Sequence, residues 1–290
     1  MNTETLNLKQ ESLKLIKRLK RQTTRVVCSA TMRYPGGKDG QNIRQKLIPH
    51  HYQPQVQQCQ YDRLHALGGA YENKRCLIIG GAPSLRELDI STISVNYTFL
   101  LNRAYLLTNR PLIDDEAIVI ANPFAFEEYG HEALDLKLHA AFLSGAIDIG
   151  YYCSDTRVIT YSQWENPRIY EGFFQLDLQK PLYHGTSVAF TAIQIAVWMG
   201  FDEIILAGID FRFDSKDAHF YDSSAQELQR TDSVSLKNSV NMVNSLRYCC
   251  EILKNTGKAK IVSVSPYRDF DFLDYRTPEE LAKIDGKARR

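Results

Sequence analysis

The chain has 290 residues, 44% of them hydrophobic and 24% charged, with a formal net charge of +1. That composition suits one large globular domain or two small ones and excludes a disordered or fibrous chain. Its six cysteines, Cys28, Cys59, Cys76, Cys153, Cys249 and Cys250, form no C-x-x-C pair, so a reducing compartment is expected and a structural zinc site is not.

The small net charge hides an asymmetry. Residues 1–75 hold 14 Lys and Arg against 5 Asp and Glu, a net of +9, which leaves −8 for the remainder. Leu6, Leu13, Ile16 and Leu19 recur at near-helical spacing beside Lys14, Lys17, Arg18, Lys20, Arg21 and Arg25. Such a basic amphipathic helix either lies on an anionic membrane surface through residues 6–25 or packs, solvated, on the main domain or on a second subunit. The polar start does not read as a secretory signal, and no apolar run approaches the roughly 20 residues of a membrane span. The expected location is therefore cytoplasmic, with peripheral attachment to the inner face of the membrane if that helix lies on lipid rather than on protein. Residues 34–60, with Pro-Gly-Gly, His50-His51 and a run of glutamines, read as an irregular connector. The boundaries expected are a basic, mostly helical extension and connector over 1–72, a main domain over 73–275 and a tail over 276–290.

Lys74 to Leu85 reads as a buried strand running into a glycine turn and a helix start. Gly80 and Gly81 can take positive φ and admit a ligand closely, Pro83 suits a first helical turn, and the amides of the corner would face an anion. The same pattern also serves ordinary strand-to-helix turns. Further apolar runs at Tyr97–Leu101, Ala117–Ala121, Arg157–Thr160, Glu203–Ala207 and Lys260–Val264 predict strands. Tyr183 to Phe211 reads as a turn, an almost wholly apolar and hence buried helix, and a strand. Its start, Gly185, Thr186 and Ser187, offers amides and hydroxyls to an anion, and equally supplies an ordinary N-cap. Ser235 to Thr256 predicts a helix with Leu236, Val240, Val243, Cys250 and Leu253 on its apolar face and Gly257 as C-cap. Strands alternating with helices give an α/β fold, a mainly parallel sheet with helices on both faces.

In such sheets ligands bind beyond the carboxyl ends of the strands. Asn102-Arg103, Asn122-Pro123 and Gly208-Ile209-Asp210 stand there. Asparagines at two strand ends can bind a sugar or a base edge without adding charge, though asparagine is also a common turn residue. His219, in the polar loop Asp217-Ala218-His219-Phe220-Tyr221, has the chemistry of a general base. The one Asp-x-Asp, Asp269-Phe270-Asp271, falls past the last predicted strand, and no metal site is assigned to it. A serine elbow, H-E-x-x-H and a lysine-bearing phosphate loop are all missing, which argues against a hydrolase, a zinc enzyme or a P-loop ATPase.

Taken in order, Gly80-Gly81-Ala82-Pro83-Ser84-Leu85, Asn102 in Leu-Leu-Asn-Arg-Ala-Tyr, Asn122 in Ala-Asn-Pro-Phe, and the block from Gly185-Thr186-Ser187 to Gly208-Ile209-Asp210-Phe211 resemble the bacterial sialyltransferases of glycosyltransferase family 42. The same features resemble the group described as 6-hydroxymethylpterin diphosphokinase-like, or domain of unknown function 115. The resemblance covers about residues 74–225. It implies a Rossmann-like domain and an inverting transfer from a CMP-activated, sialic-acid-like or other acidic sugar to a surface glycan, with no metal or other cofactor. It implies a donor site of Gly80, Gly81, Ala82, Ser84, Asn102, Asn122, Gly185, Thr186, Ser187 and Asp210, with His219 as base. Gly81 stands where the sialyltransferases have asparagine, and Arg212 where they place a tyrosine against the leaving phosphate, so Arg212 takes that role here. The partners implied are a nucleotide sugar and a glycan acceptor, with no nucleic acid, and the chain is compatible with an oligomer. Two rivals stay open. One is pyrophosphoryl transfer from ATP, with magnesium on Asp210 and Asp214 or Asp217; the other is a non-catalytic nucleotide-binding protein docked on membranes.

Overall fold

The structure, a computed structural model, describes residues 62–147, 149, 155–163, 174–212 and 219–282. The basic segment 6–25 and the connector 34–60 lie outside these residues. Among them are eight strands: β1 (Arg75–Ile79), β2 (Tyr97–Leu101), β3 (Glu116–Ile120), β4 (Ala140–Ser144), β5 (Val158–Tyr161), β6 (Glu203–Ala207), β7 (Lys260–Ser263) and β8 (Asp274–Tyr275). They form one sheet in the order β5-β4-β3-β2-β1-β6-β7-β8, and every pairing is parallel.

The central strands are buried on both faces, and their side chains divide between two cores by simple alternation. Cys76, Ile78, Tyr97, Phe99, Val119, Phe142, Ile204 and Leu206 pack on one side. Leu77, Ile79, Leu100, Ile118, Ile120, Leu143, Ile205 and Ala207 pack on the other. β4, Ala-Ala-Phe-Leu-Ser, and the two-residue β8 were not among the predicted strands. Alanine is a poor strand former, and β4 owes its conformation to burial between β3 and β5 rather than to propensity.

The helices are α1 (Pro123–Ala125), α2 (His131–Asp135), α3 (Val188–Met199), α4 (Ala225–Thr256) and α5 (Pro278–Leu281), with Phe126–Gly130 joining α1 to α2 as a π-helical turn. α3 is buried nearly all round, as its uninterrupted apolar sequence predicts. α4 ends where expected, on Gly257 in the left-handed conformation, but it starts ten residues earlier than Ser235. There Ser224 accepts a hydrogen bond from the Glu227 amide and caps it. Its buried stripe matches the predicted one only in part. Leu253 is buried and Cys250 packs against the core as predicted, joined by Met242, Leu246 and Cys249, while Val240 is 67% exposed. The core takes in residues on both sides of 73–275: Leu64 and Tyr71 join the α3 face and Leu281 the opposite one. No helix among the described residues is long and apolar enough to cross a membrane.

Candidate functional site

The strand order places a topological switch at the centre of the sheet. From β1 the chain steps one way through β2 to β5, then crosses back to lay β6 on the other side of β1. A crevice opens beyond the carboxyl ends at such a point. α3 leads directly into β6, so its N-terminus lies at that same edge. Three of the four non-glycine residues with positive φ in the described chain are there too: Asn102 at 53°, Thr186 at 59° and Phe211 at 51°. Left-handed backbone costs a residue with a side chain about 1–3 kcal/mol and concentrates at functional sites.

The glycine corner is built differently from its prediction. Neither Gly80 nor Gly81 has positive φ; Gly208, facing them from β6, does. A Cβ on Gly80 would meet the Gly208 carbonyl oxygen at 2.2 Å, so this glycine is required by close backbone approach. The Gly80 amide donates to Ala207 at 2.8 Å and the Ala82 amide to Gly208 at 3.0 Å, which spends two donors expected to face an anion. The helix start is a four-residue 3-10 turn, Pro83–Arg86. What the corner retains is the Ser84 hydroxyl, 2% exposed at the residue level and without a hydrogen-bond partner among the described residues.

Gly81 has another purpose. A Cβ there would stand 2.9 Å from His219 Cδ2 and 3.6 Å from Tyr221 Cε1, and the Phe220 amide donates to the Gly81 carbonyl at 2.8 Å. Arg86 ties down the same loop, donating to the carbonyls of His219 at 2.8 Å and Phe220 at 3.2 Å. His219 Nδ1 lies 2.7 Å from Ser223 Oγ, and its ring stacks on Tyr221 with centroids 4.9 Å apart. Burial holds its pKa below the ordinary imidazole value; Glu227 pushes it back up and Arg103 down. With Nδ1–H assigned to Ser223, Nε2 carries the lone pair of a neutral base.

Around the imidazole sits a network the sequence reading did not assign. Tyr221 donates to Glu227 at 2.8 Å. Arg103 lies 3.6 Å from the other Glu227 oxygen, 5.2 Å from the Tyr221 ring centre and 5.8 Å from that of Tyr129. The π turn supplies Tyr129 and also Glu128, which accepts from Ser224 at 2.5 Å. Burial, then Glu227, raises the Tyr221 pKa far above its usual range, so this phenol stays protonated. Arg103 directly follows Asn102, and Ser224-x-x-Glu227 has capping-box spacing; these were the available signals.

The other predicted residues divide between structural and open duties. Asn102 makes the left-handed turn after β2, its amide donating to Val119 at 3.1 Å. Asn122 caps α1, accepting from the Phe124 amide at 2.9 Å. Ser187 caps α3 through the Ala189 amide at 3.2 Å, and the Thr186 hydroxyl bonds Gly185 at 2.7 Å. Gly185 is left-handed, and a Cβ there would strike the Phe190 ring at 2.3 Å. Asp210, 4% exposed, accepts from Ser265 at 2.7 Å through Oδ1, while Oδ2 has no partner among the described residues. Arg212 is held by Asp269 at 2.8 Å and stacks on Tyr267 at 3.9 Å, on the β7 side. No group of three His, Cys, Asp or Glu able to hold a metal occurs among the described residues.

No protein-family model matches the chain, and no curated protein does. Among solved structures it is similar to the sialyltransferase CstII from Campylobacter jejuni in complex with cytidine-5'-monophosphate, at 19% identity over 71% of this chain and 86% of that one, with a TM-score of 0.44. It is also similar to the monofunctional alpha-2,3-sialyltransferase Cst-I from the same organism, at 16% identity over 67% of this chain and 76% of that one, with a TM-score of 0.42. The MAf glycosyltransferase from Magnetospirillum magneticum AMB-1 is similar at 14% identity over 77% of this chain and 39% of its own, with a TM-score of 0.42.

Proposed function

We propose that this chain is an inverting glycosyltransferase that moves an acidic sugar from a CMP-activated donor to the hydroxyl of a glycan. The observation that carries this reading is His219: a neutral, partly desolvated imidazole seated over Gly81 at the switch point, with a carboxylate and a guanidinium next to it. Nε2 takes the proton of the acceptor hydroxyl as that oxygen attacks the anomeric carbon from the face opposite the leaving nucleotide. The new carbon–oxygen bond forms as the bond to phosphate breaks, and CMP departs with both electrons. Glu227 stabilises the imidazolium that results. Charge on the departing phosphate meets Arg103 and the start of α3, where the Gly185, Thr186 and Val188 amides have no internal partner among the described residues. Arg212, given this task by the family resemblance, has its charge largely answered by Asp269.

The order of the glycine corner, the two asparagines and the Gly-Thr-Ser start supports the nucleotide donor. The test compares thermal unfolding with CMP, CDP and ATP plus magnesium, followed by turnover of CMP-sugars by wild type and His219→Ala. Stabilisation by CMP, and loss of turnover with that stabilisation kept in His219→Ala, are expected. Full turnover by His219→Ala would remove the base assignment, and stabilisation by ATP with magnesium alone would replace glycosyl transfer with pyrophosphoryl transfer.

A further inference from the structure

A second concavity opens on the β7 side of the same edge. It has a volume of about 360 Å³ and is walled by the Asp210–Arg212 segment after β6, by Asp269 and Phe270 after β7, and by one face of α4. That volume falls within the roughly 300–1,000 Å³ of small-molecule sites. Three independent features mark it. Phe211 is held left-handed, unusual for a bulky residue, and presents its ring 6.1 Å from Phe270. Val240, on the α4 wall, is one of only three large apolar side chains exposed among the described residues. Asp210, which also lines the cleft, keeps a buried carboxylate oxygen without a partner among those residues.

The chemistry of the walls selects the occupant. Two carboxylates, Asp210 and Asp269, face a single guanidinium, Arg212, so the cleft carries excess negative charge and disfavours a polyphosphate or a nucleotide. Carboxylates accept hydrogen bonds from hydroxyls, Arg212 donates, and Asn244 does both. The Phe211 and Phe270 rings offer apolar faces. Hydroxyls around a ring with a C–H face are what a neutral sugar presents. We infer that this cleft holds a neutral sugar residue of the acceptor glycan, keeping the acceptor at the edge where His219 works. The word acceptor rests on the glycosyl-transfer reading; the sugar cleft itself does not.

The test is saturation-transfer NMR on the full chain with lactose, maltose and N-acetylglucosamine as probes and no nucleotide present. Wild type, Val240→Trp and Asn244→Trp are compared, both substitutions being at exposed helix positions that fill the cleft without entering the core. At least one sugar is expected to receive saturation from wild type and to lose at least about tenfold of its affinity in both variants, while stabilisation by CMP is unchanged. Absence of transfer to all three sugars, or equal transfer in folded variants, overturns the inference. Sugar binding that the variants abolish, in a chain that CMP never stabilises, supports the cleft and refutes the donor reading instead.

Discussion

Replacing Gly81 by alanine asks whether the fold sets the position from which His219 acts. The added Cβ would lie 2.9 Å from His219 Cδ2, while ordinary contacts begin near 3.4 Å, so the ring has to retreat by about 0.5 Å. It cannot swing freely, because Ser223 holds Nδ1 at 2.7 Å and Tyr221 covers one ring face. A reacting group misplaced by about 1 Å can cost about 100-fold in rate, so half that displacement is expected to lower kcat about tenfold, or about 1.4 kcal/mol of barrier. Stability should change little. Gly81 is not left-handed, and the gain of about 0.4–1 kcal/mol from stiffening the unfolded chain offsets the new contact. Initial rates at saturating donor and acceptor, with thermal unfolding as control, provide the assay. A normally folded Gly81→Ala protein with wild-type kcat would refute the link between this glycine and the base.

The neighbouring glycine should respond in the opposite way: in Gly80→Ala the Cβ meets a backbone oxygen at 2.2 Å, so a loss of about 3 kcal/mol or more in denaturant unfolding is expected, and wild-type stability would contradict the described β1–β6 contact. The acid limb of the kcat/KM profile should lie below the ordinary imidazole value, since His219 must be neutral to act and its pKa is lowered. Glu227→Gln removes the one contribution that raises this pKa, so the limb should move to still lower pH; a limb that moves upward reports a different group. Ser187→Gly keeps most of the capping, at a cost of a few tenths of a kcal/mol, but deletes the hydroxyl. Calorimetric CMP affinity should fall about tenfold while the melting temperature holds, and unchanged affinity would reduce Ser187 to a cap.

The fold class was legible because its signals are local. Buried parallel strands are short apolar runs, α3 is apolar all round, and Gly257 is a C-cap that any helix needs. Strand-end positions for Asn102, Asn122 and Asp210 followed from the same pattern. The wider surroundings of His219 were not legible, because Gly81, Arg103 and Glu227, with Tyr129 against Arg103, come from four separate segments joined only by packing. Gly80 and Gly81 illustrate the limit: in sequence they are one phosphate-corner signal, while in space one admits a backbone and the other an imidazole. Val240 was placed in a core because its spacing fits the helix period, yet periodicity does not say which of two adjacent stripes faces inward.

The seat of β1 between β2 and β6 has a bearing on how the chain folds. Its neighbours enter at very different times, since Arg75 is 21 residues from Asn96 but 128 from Glu203. During synthesis β1 to β5 can assemble early, while the far edge of β1 and the faces that α3 will cover wait until β6 has emerged, more than a hundred residues after β1 itself. An unpaired apolar edge of that kind invites association with other chains, which makes yield dependent on temperature and on chaperone supply. The β1–β6 seam, which joins Gly80 to Gly208, can close only after that wait, so the candidate site at this edge is completed later than the β1–β5 half of the sheet.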